Sequence, residues 1–271
     1  MLDVRLKPVE TLLFRSDVVA AGKFRCPATN PLFFDSGPCS HHTFVFPRTV
    51  TRIRLDDGRS FVATPASVVF YNQDQLYTRS AISPIDASDW YTVSDDVLGE
   101  LIDIDDWRRP FRASGAPVES RAFLAQRRIF DALNRGDALD ALEVEDTVLR
   151  VLRTCVAQTF LSARPPHADA VEQVKSLLAQ SPTRALSLRS LARSVSLSPF
   201  ALCRAFRAAT GASITHYRHA LRLRLALDRL RDKRADLTDL ALSLGYASHS
   251  HFTATFRRHF GVTPSAWRAK A

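Results

Sequence analysis

The chain has 271 residues, 46% of them hydrophobic and 24% charged, which allows one large globular domain or two ordinary ones. No apolar run approaches the ~18 residues of a membrane span, and the opening MLDVRLKPVETLLF sets acids among its apolar residues, so neither a spanning helix nor a signal peptide is read and the chain is assigned to the cytoplasm. The net charge of +9 is unevenly placed: residues 166–271 carry 17 Lys and Arg against 6 Asp and Glu, whereas residues 1–165 carry 20 against 22, an asymmetry that marks the second part as a polyanion-binding domain.

In chain order, residues 43–72 read as strands. Arg52-Ile53-Arg54-Leu55 alternates polar and apolar, Asp56-Asp57-Gly58 supplies a turn, and the extended pattern resumes over Arg59 to Thr64 and, after Pro65, over Ser67 to Tyr71. The many Asp between 86 and 106 read as a solvated, helix-capping surface. From about 119 the period changes to that of helices. Phe123, Ile129, Phe130 and Leu133 mark one, stopped near Gly136, and Leu142, Leu149, Leu152, Val156 and Phe160 mark a second. Ser162 to Pro166 reads as a stiff linker, because consecutive prolines cannot continue a helix. Cys26, Cys39, Cys155 and Cys203 lack paired spacing, which argues against a disulfide framework and a zinc ribbon.

The basic part contains a duplication. Leu191-Ala192-x-x-Val195-Ser196-Leu197-Ser198 recurs as Leu240-Ala241-x-x-Leu244-Gly245-Tyr246-Ala247-Ser248, and Leu202, Phe206, Gly211 and Tyr217 recur as Phe252, Phe256, Gly261 and Trp267. Each copy has the layout of a helix-turn-helix: a short helix at about 188–195 or 238–244, a tight turn, then a capped second helix. Ser198 caps the first such helix ahead of Pro199, and Ser248 caps the second. Leu202 and Phe206, or Phe252, Phe256 and Phe260, form the buried stripe. The opposite face carries Phe200, Cys203, Arg204 and Arg207 in one copy and His249, Ser250, Thr253, Ala254 and Arg257 in the other. Such a helix fits the ~12 Å major groove of DNA. Residues 213–231 between the copies, if helical throughout, span about 28 Å, close to the ~34 Å between successive major-groove segments on one face of a duplex.

These segments, LARSVSLSPFALCRAFRAATGASITHYRHALRLRLALDRL and LTDLALSLGYASHSHFTATFRRHFGVTPSAWR, closely resemble the DNA-binding domain of the AraC/XylS family of bacterial transcription regulators over residues 171–269. The resemblance implies an all-α domain of about seven helices, with helix-turn-helix units at about 188–209 and 237–260 and recognition helices at about 199–209 and 249–259. It puts the family's base-reading Arg on Arg204, beside Phe200 and Cys203. An Arg common on the second recognition helix falls on Ala254, which can touch a thymine methyl but cannot grip guanine. Ser196 stands where a helix-ending Gly is usual. Base reading is therefore assigned to Phe200, Cys203, Arg204, His249, Ser250, Thr253 and Ala254, and phosphate contact to Ser198, Arg207, Ser248 and Arg257. One or two of Arg218, Arg222, Arg224, Arg229 and Arg231 are given a phosphate role, the rest solvating the central helix.

Residues 42–48 (HTFVFPR), 66–72 (ASVVFYN), Ser83-Pro84 and Asp89-Trp90 resemble, more faintly, the cupin-like β-domain of effector-sensing members. The fold class read is thus α+β in two domains: a cupin-like β-barrel with a helical pair (1–162, helices about 119–162), a linker (163–170) and the helical domain (171–269). The pair is often used for dimer contacts in the family. His41, His42, Arg48, Arg52 and Tyr71 are candidates to line an effector pocket. Cys39-Ser40-His41-His42 invites a metal, but adjacent strand residues face opposite ways, and no metal or cofactor is assigned. The function read is a sequence-specific regulator whose partners are double-stranded DNA, a small-molecule effector and a second copy of the chain, with RNA polymerase a further candidate, in the bacterial nucleoid. The alternatives are a DNA-binding dimer that senses nothing, and a metal-dependent cupin enzyme or DNA-alkyl acceptor carrying the same module. Isolated cysteines, and no Ser/His/Asp set, phosphate loop or paired catalytic carboxylates, argue against an enzyme.

Overall fold

The computed structural model describes residues 2–34, 37–157, 167–184, 186–232 and 234–270. It divides into two compact units, Met1–Ser162 and Ala163–Ala271. Phe160 and the prolines of the expected linker lie outside the described residues.

Among the described residues the first unit has nine antiparallel strands: β1 (Glu10–Arg15), β2 (Val19–Pro27), β3 (Thr43–Pro47), β4 (Thr51–Leu55), β5 (Ser60–Ala63), β6 (Ser67–Tyr71), β7 (Tyr77–Ala81), β8 (Ile85–Val93) and β9 (Gly115–Pro117). They form a large sheet in the order β1-β2-β8-β3-β6-β9 and a small one in the order β5-β4-β7. Among the described residues no strand pairing joins the two sheets, so the expected barrel is not closed. Arg52 to Leu55 does alternate: Thr51 and Ile53 face a cavity while Arg54 is exposed.

The large sheet is buried on both faces, which is why Val68 to Tyr71 is apolar without a break. On one face Val45, Val69, Tyr71 and Trp90 border the cavity. On the other, Phe44 packs on Phe70 and Phe111, and Phe46 on Tyr91. Gly22 admits the Trp90 indole, because a Cβ there would lie 2.2 Å from the ring.

Among its described residues this unit also has a 3-10 turn at Pro31–Phe33 and three α-helices, α1 (Asp95–Leu101), α2 (Ser120–Arg135) and α3 (Ala141–Ala157). The second is held to the sheet by a buried polar cluster. Asp89 accepts hydrogen bonds from Arg48 Nε and Gln126 Nε2, each at 2.7 Å, and Arg48 lies 5.1 Å from the Phe130 ring centroid. Arg127 pairs with Asp131 at 2.9 Å. This corrects the solvated-surface reading of the Asp-rich stretch. Asp95 and Asp96 do open α1, but Asp89 is interior, and burial pushes its carboxyl up to about 6 although Arg48 pulls the other way. A second correction concerns α3. Leu152 and Val156 are buried as expected, but the rest of the buried stripe is Val144, Val148, Val151 and Cys155, and Leu142 is 73% exposed.

The second unit contains α4 (Ala168–Gln180), α5 (Leu188–Ser194), α6 (Pro199–Thr210), α7 (Ile214–Arg229), α8 (Leu237–Ser243), α9 (His249–Phe260) and α10 (Pro264–Lys270). Ser198 Oγ accepts from Ala201 N–H and Ser248 Oγ from His251 N–H, each at 3.1 Å, which sets where α6 and α9 begin. Leu202 and Phe206 under α6, and Phe252, Phe256 and Phe260 under α9, are buried. Each such side chain contributes about 1.5–3 kcal/mol. The central helix α7 has 16 residues, about 24 Å of rise, shorter than the expected stretch.

Arg222 on α7 is buried. It donates from Nε to Pro182 O at 2.6 Å, from Nη2 to Thr183 O at 3.3 Å and from Nη1 to Gly245 O at 3.4 Å. It closes the fold and is not a phosphate ligand, and Arg224 is buried too. Arg222→Met keeps the stem but strands three carbonyls. Urea unfolding is expected to show a loss of about 2–3 kcal/mol, and an unchanged midpoint would refute the tie.

The two turns differ at one position. Gly245 has φ +76°, and Ser196 in the first copy takes φ +55°. A left-handed backbone suits Gly and strains Ser. Ser196→Gly is expected to raise the unfolding free energy by about 0.5–1 kcal/mol, read by the same denaturation.

Candidate nucleic-acid interface

The outward face of α6 begins at Phe200, which is 75% exposed although aromatic. Cys203, Arg204 and Arg207 follow on the same exposed side, one turn apart, because Leu202 and Phe206 occupy the core side. The Arg204 guanidinium lies 5.8 Å from the Phe200 ring centroid. Stacking of this kind restricts the rotamers of a long side chain and holds its donor fork clear of the helix.

On α9 the residues His249, Ser250, Thr253, Ala254 and Arg257 line one shallow groove together with Arg258 and Thr263. Thr253 Oγ1 and His249 Nε2 are 3.3 Å apart, so those two side chains are tethered to each other. Ala254 is exposed in the middle of this face with nothing to donate. The positive charge of the groove thus comes from Arg257 and Arg258. Behind it, burial and the nearby Arg224 push the His259 imidazole down to about 3, which leaves it neutral near pH 7.

The central-helix arginines divide. Arg222 and Arg224 are internal, Arg218 donates to Leu186 O at 3.5 Å and Arg229 to Ser243 Oγ at 2.9 Å. Arg231 follows the helix on the surface. In sequence all five read alike. Only the packing separates the structural ones, and no local signal marks Arg222.

The residues proposed for an effector pocket also divide. A cavity of about 90 Å³ lies within the first unit, and His41 and Tyr71 line it. His42, Arg48 and Arg52 do not. His42 faces the opposite side, against Phe111, and its Nδ1 accepts from Gln73 N–H at 3.1 Å. Arg48 is engaged with Asp89, and Arg52 follows the strand alternation away from Thr51 and Ile53. Cys39 lines the cavity, but burial pushes its thiol up to about 12, so it is no thiolate ligand near neutral pH. Among the described residues no group of three or more His, Cys, Asp or Glu side chains converges as a metal site. The sequence reading missed Lys7, Arg79 and Trp90 as lining residues, since they come from separate strands and loops and share no motif.

Two helix-turn-helix units, each with a polar and basic second helix turned outward, define the class: a double helix-turn-helix protein. A family model described as a helix-turn-helix domain matches residues 191–270. The regulatory protein SoxS of Salmonella typhimurium is 36% identical over 83 residues, covering 31% of this chain and 78% of that one. The chain belongs to the AraC/XylS family of transcription regulators, a family of regulators and not of enzymes. The transcriptional activator RhaR of Pectobacterium carotovorum is 26% identical over 178 residues, and the match covers 61% of this chain and 63% of that relative's length. A solved structure of ToxT from Vibrio cholerae aligns over 93% of this chain and 98% of its own, at 12% identity and a TM-score of 0.37. Among the described residues no helix is long and apolar enough to cross a membrane.

Proposed function

We propose that the chain is a sequence-specific, double-stranded-DNA-binding transcription regulator, with residues 171–269 gripping DNA and the cupin-like region within residues 1–162 sensing a small-molecule effector. The observation that carries this reading is the outward display of Phe200, Cys203, Arg204 and Arg207 on a helix whose other side is core. In the proposed complex Arg204 reads a guanine edge, Phe200 and Ala254 meet thymine methyls, and Cys203, His249, Ser250 and Thr253 contact neighbouring bases. Arg207 and Arg257 bind phosphates. Ser198 and Ser248 use their hydroxyls to accept from their own helices and still have a proton to donate to a phosphate. Two copies of the chain act together through the helical pair α2 and α3, RNA polymerase is the further partner, and the protein works at the nucleoid in the cytoplasm.

The test is Arg204→Ala on full-length protein against a panel of duplexes substituted at each operator position, after a footprint across the chain's own upstream region has located the site. The variant is expected to lose discrimination at one base pair and about 1–3 kcal/mol of affinity for the parent site. Parent-like discrimination at every position would remove Arg204 from the reading head.

A further inference from the structure

The cavity between the two sheets of the first unit has a specific chemical bias. Half of its lining residues are apolar or aromatic, Val45, Ile53, Val69, Tyr71 and Tyr77 among them, and the other half are polar or charged. Two of its lining residues carry a buried donor that has no hydrogen-bond partner: the Lys7 ammonium and the Trp90 indole N–H. Lys7 Nζ is 5.9 Å from the centroid of the Tyr77 ring, a contact that eases its burial without accepting a hydrogen bond. A buried ammonium with no acceptor is costly, and so is a buried indole N–H. Both costs vanish when a ligand supplies acceptor oxygens.

The charges around the cavity state the sign. Arg5, Lys7 and Arg79 line it against Glu10 and Asp86, which leaves one positive charge in excess. Arg79 is already committed: it lies 3.5 Å from Asp86, donates to Leu32 O at 3.2 Å and stacks 4.6 Å from the Phe24 centroid. Glu10 spends an oxygen on the Lys7 backbone N–H at 2.8 Å. Burial holds the His41 imidazole below its usual range, so it adds no charge near pH 7. With Arg79 engaged and Arg5 exposed to solvent, Lys7 carries the buried cationic group left for a guest, and Trp90 carries a second donor in the same lining.

We propose that this cavity binds a small organic monocarboxylate, its two oxygens shared between Lys7 Nζ and Trp90 Nε1 and its apolar body on the Val45, Val69 and Tyr71 wall. This names the class of effector for the sensing role proposed above and rests on that reading. A carboxylate has four lone-pair sites and no donor, which matches two donors in search of acceptors, and the ammonium bond is charge-assisted. The volume of about 90 Å³ limits the guest to a small body.

The experiment uses full-length protein near neutral pH and a matched pair of small probes: propionate, and propionamide as its uncharged isostere. Calorimetric titration is expected to give the acid at least tenfold the affinity of the amide. Nitrogen-labelled protein has three indole N–H signals, one for each Trp. The acid should shift one of them, and that signal should be absent from Trp90→Phe. In Lys7→Met the preference for the acid should vanish while affinity for the amide stays at the parent level, which reports an intact cavity. Equal affinity for acid and amide in the parent, no binding of either, no moving indole signal, or a preference that survives in Lys7→Met would each overturn the proposal. Loss of duplex binding by the parent chain would instead sink the regulator reading and leave the cavity result standing.

Discussion

Replacing Asp89 with alanine is expected to lower the unfolding free energy of the first unit by about 3–5 kcal/mol. Asp89 is 2% exposed and takes hydrogen bonds from both Arg48 and Gln126. Its removal leaves the Arg48 guanidinium, whose side chain is 14% exposed, facing Asp131 at 3.6 Å as its remaining counter-charge. It also takes from Gln126 Nε2 the nearer of its two acceptors, the other being Tyr91 Oη at 3.2 Å. The loss is thus the cost of leaving buried donors short of an acceptor and not the worth of one ion pair. Asp89→Leu combined with Arg48→Met removes both charges and should recover most of that loss. Urea denaturation of the three proteins decides it: a loss under about 1 kcal/mol for Asp89→Ala, or no recovery in the double variant, would show that the cluster does not hold α2 in place.

The second large effect is on association. If residues 171–269 grip a duplex through about six phosphates, raising monovalent salt from about 50 to about 200 mM should weaken binding about a thousandfold, because each neutralised phosphate releases condensed counterions. The exposed Arg207, Arg257 and Arg258 are among the groups that would make those contacts. Arg207→Ala should lower the slope of log affinity against log salt by about one, at every sequence tested. Titration of one cognate duplex at four salt concentrations measures both quantities. A flat response would mean that the positive charge of this unit serves something other than DNA.

The parts of the fold that were legible in the sequence are those written in local chemistry. Ser198 before Pro199, Ser248 before His249 and the phenylalanines at every fourth position each mark a helix boundary or face within a dozen residues, and α6 and α9 begin at those caps. The β region was legible only where one side of a strand meets water, as at Arg52 to Leu55. Where both faces of a sheet are covered, as at Val68 to Tyr71, the pattern cannot say which residue looks into the cavity. Leu142 shows a related ambiguity. It lies on the opposite side of the helix from Val144, Val148 and Val151, and because Leu142, Leu149, Leu152 and Val156 also keep helical spacing, spacing alone could not choose between the two runs. Asp89 and Arg222 were misread for the same physical reason: a charged residue in sequence looks solvated, and only packing from distant elements shows that it has been enclosed. The cavity was legible through His41 and Tyr71 alone. Its two bare donors stand 83 positions apart, and no spacing rule connects them.

The Arg222 tie has a consequence for reading a double helix. One guanidinium ties the loop ahead of the first helix-turn-helix and the bend of the second to the middle of the connecting rod, so the two reading heads are coupled through a single side chain. If both heads engage one duplex, as proposed, a spacer that changes the angular offset of the two half-sites would have to be accommodated by twisting the DNA or by breaking this tie.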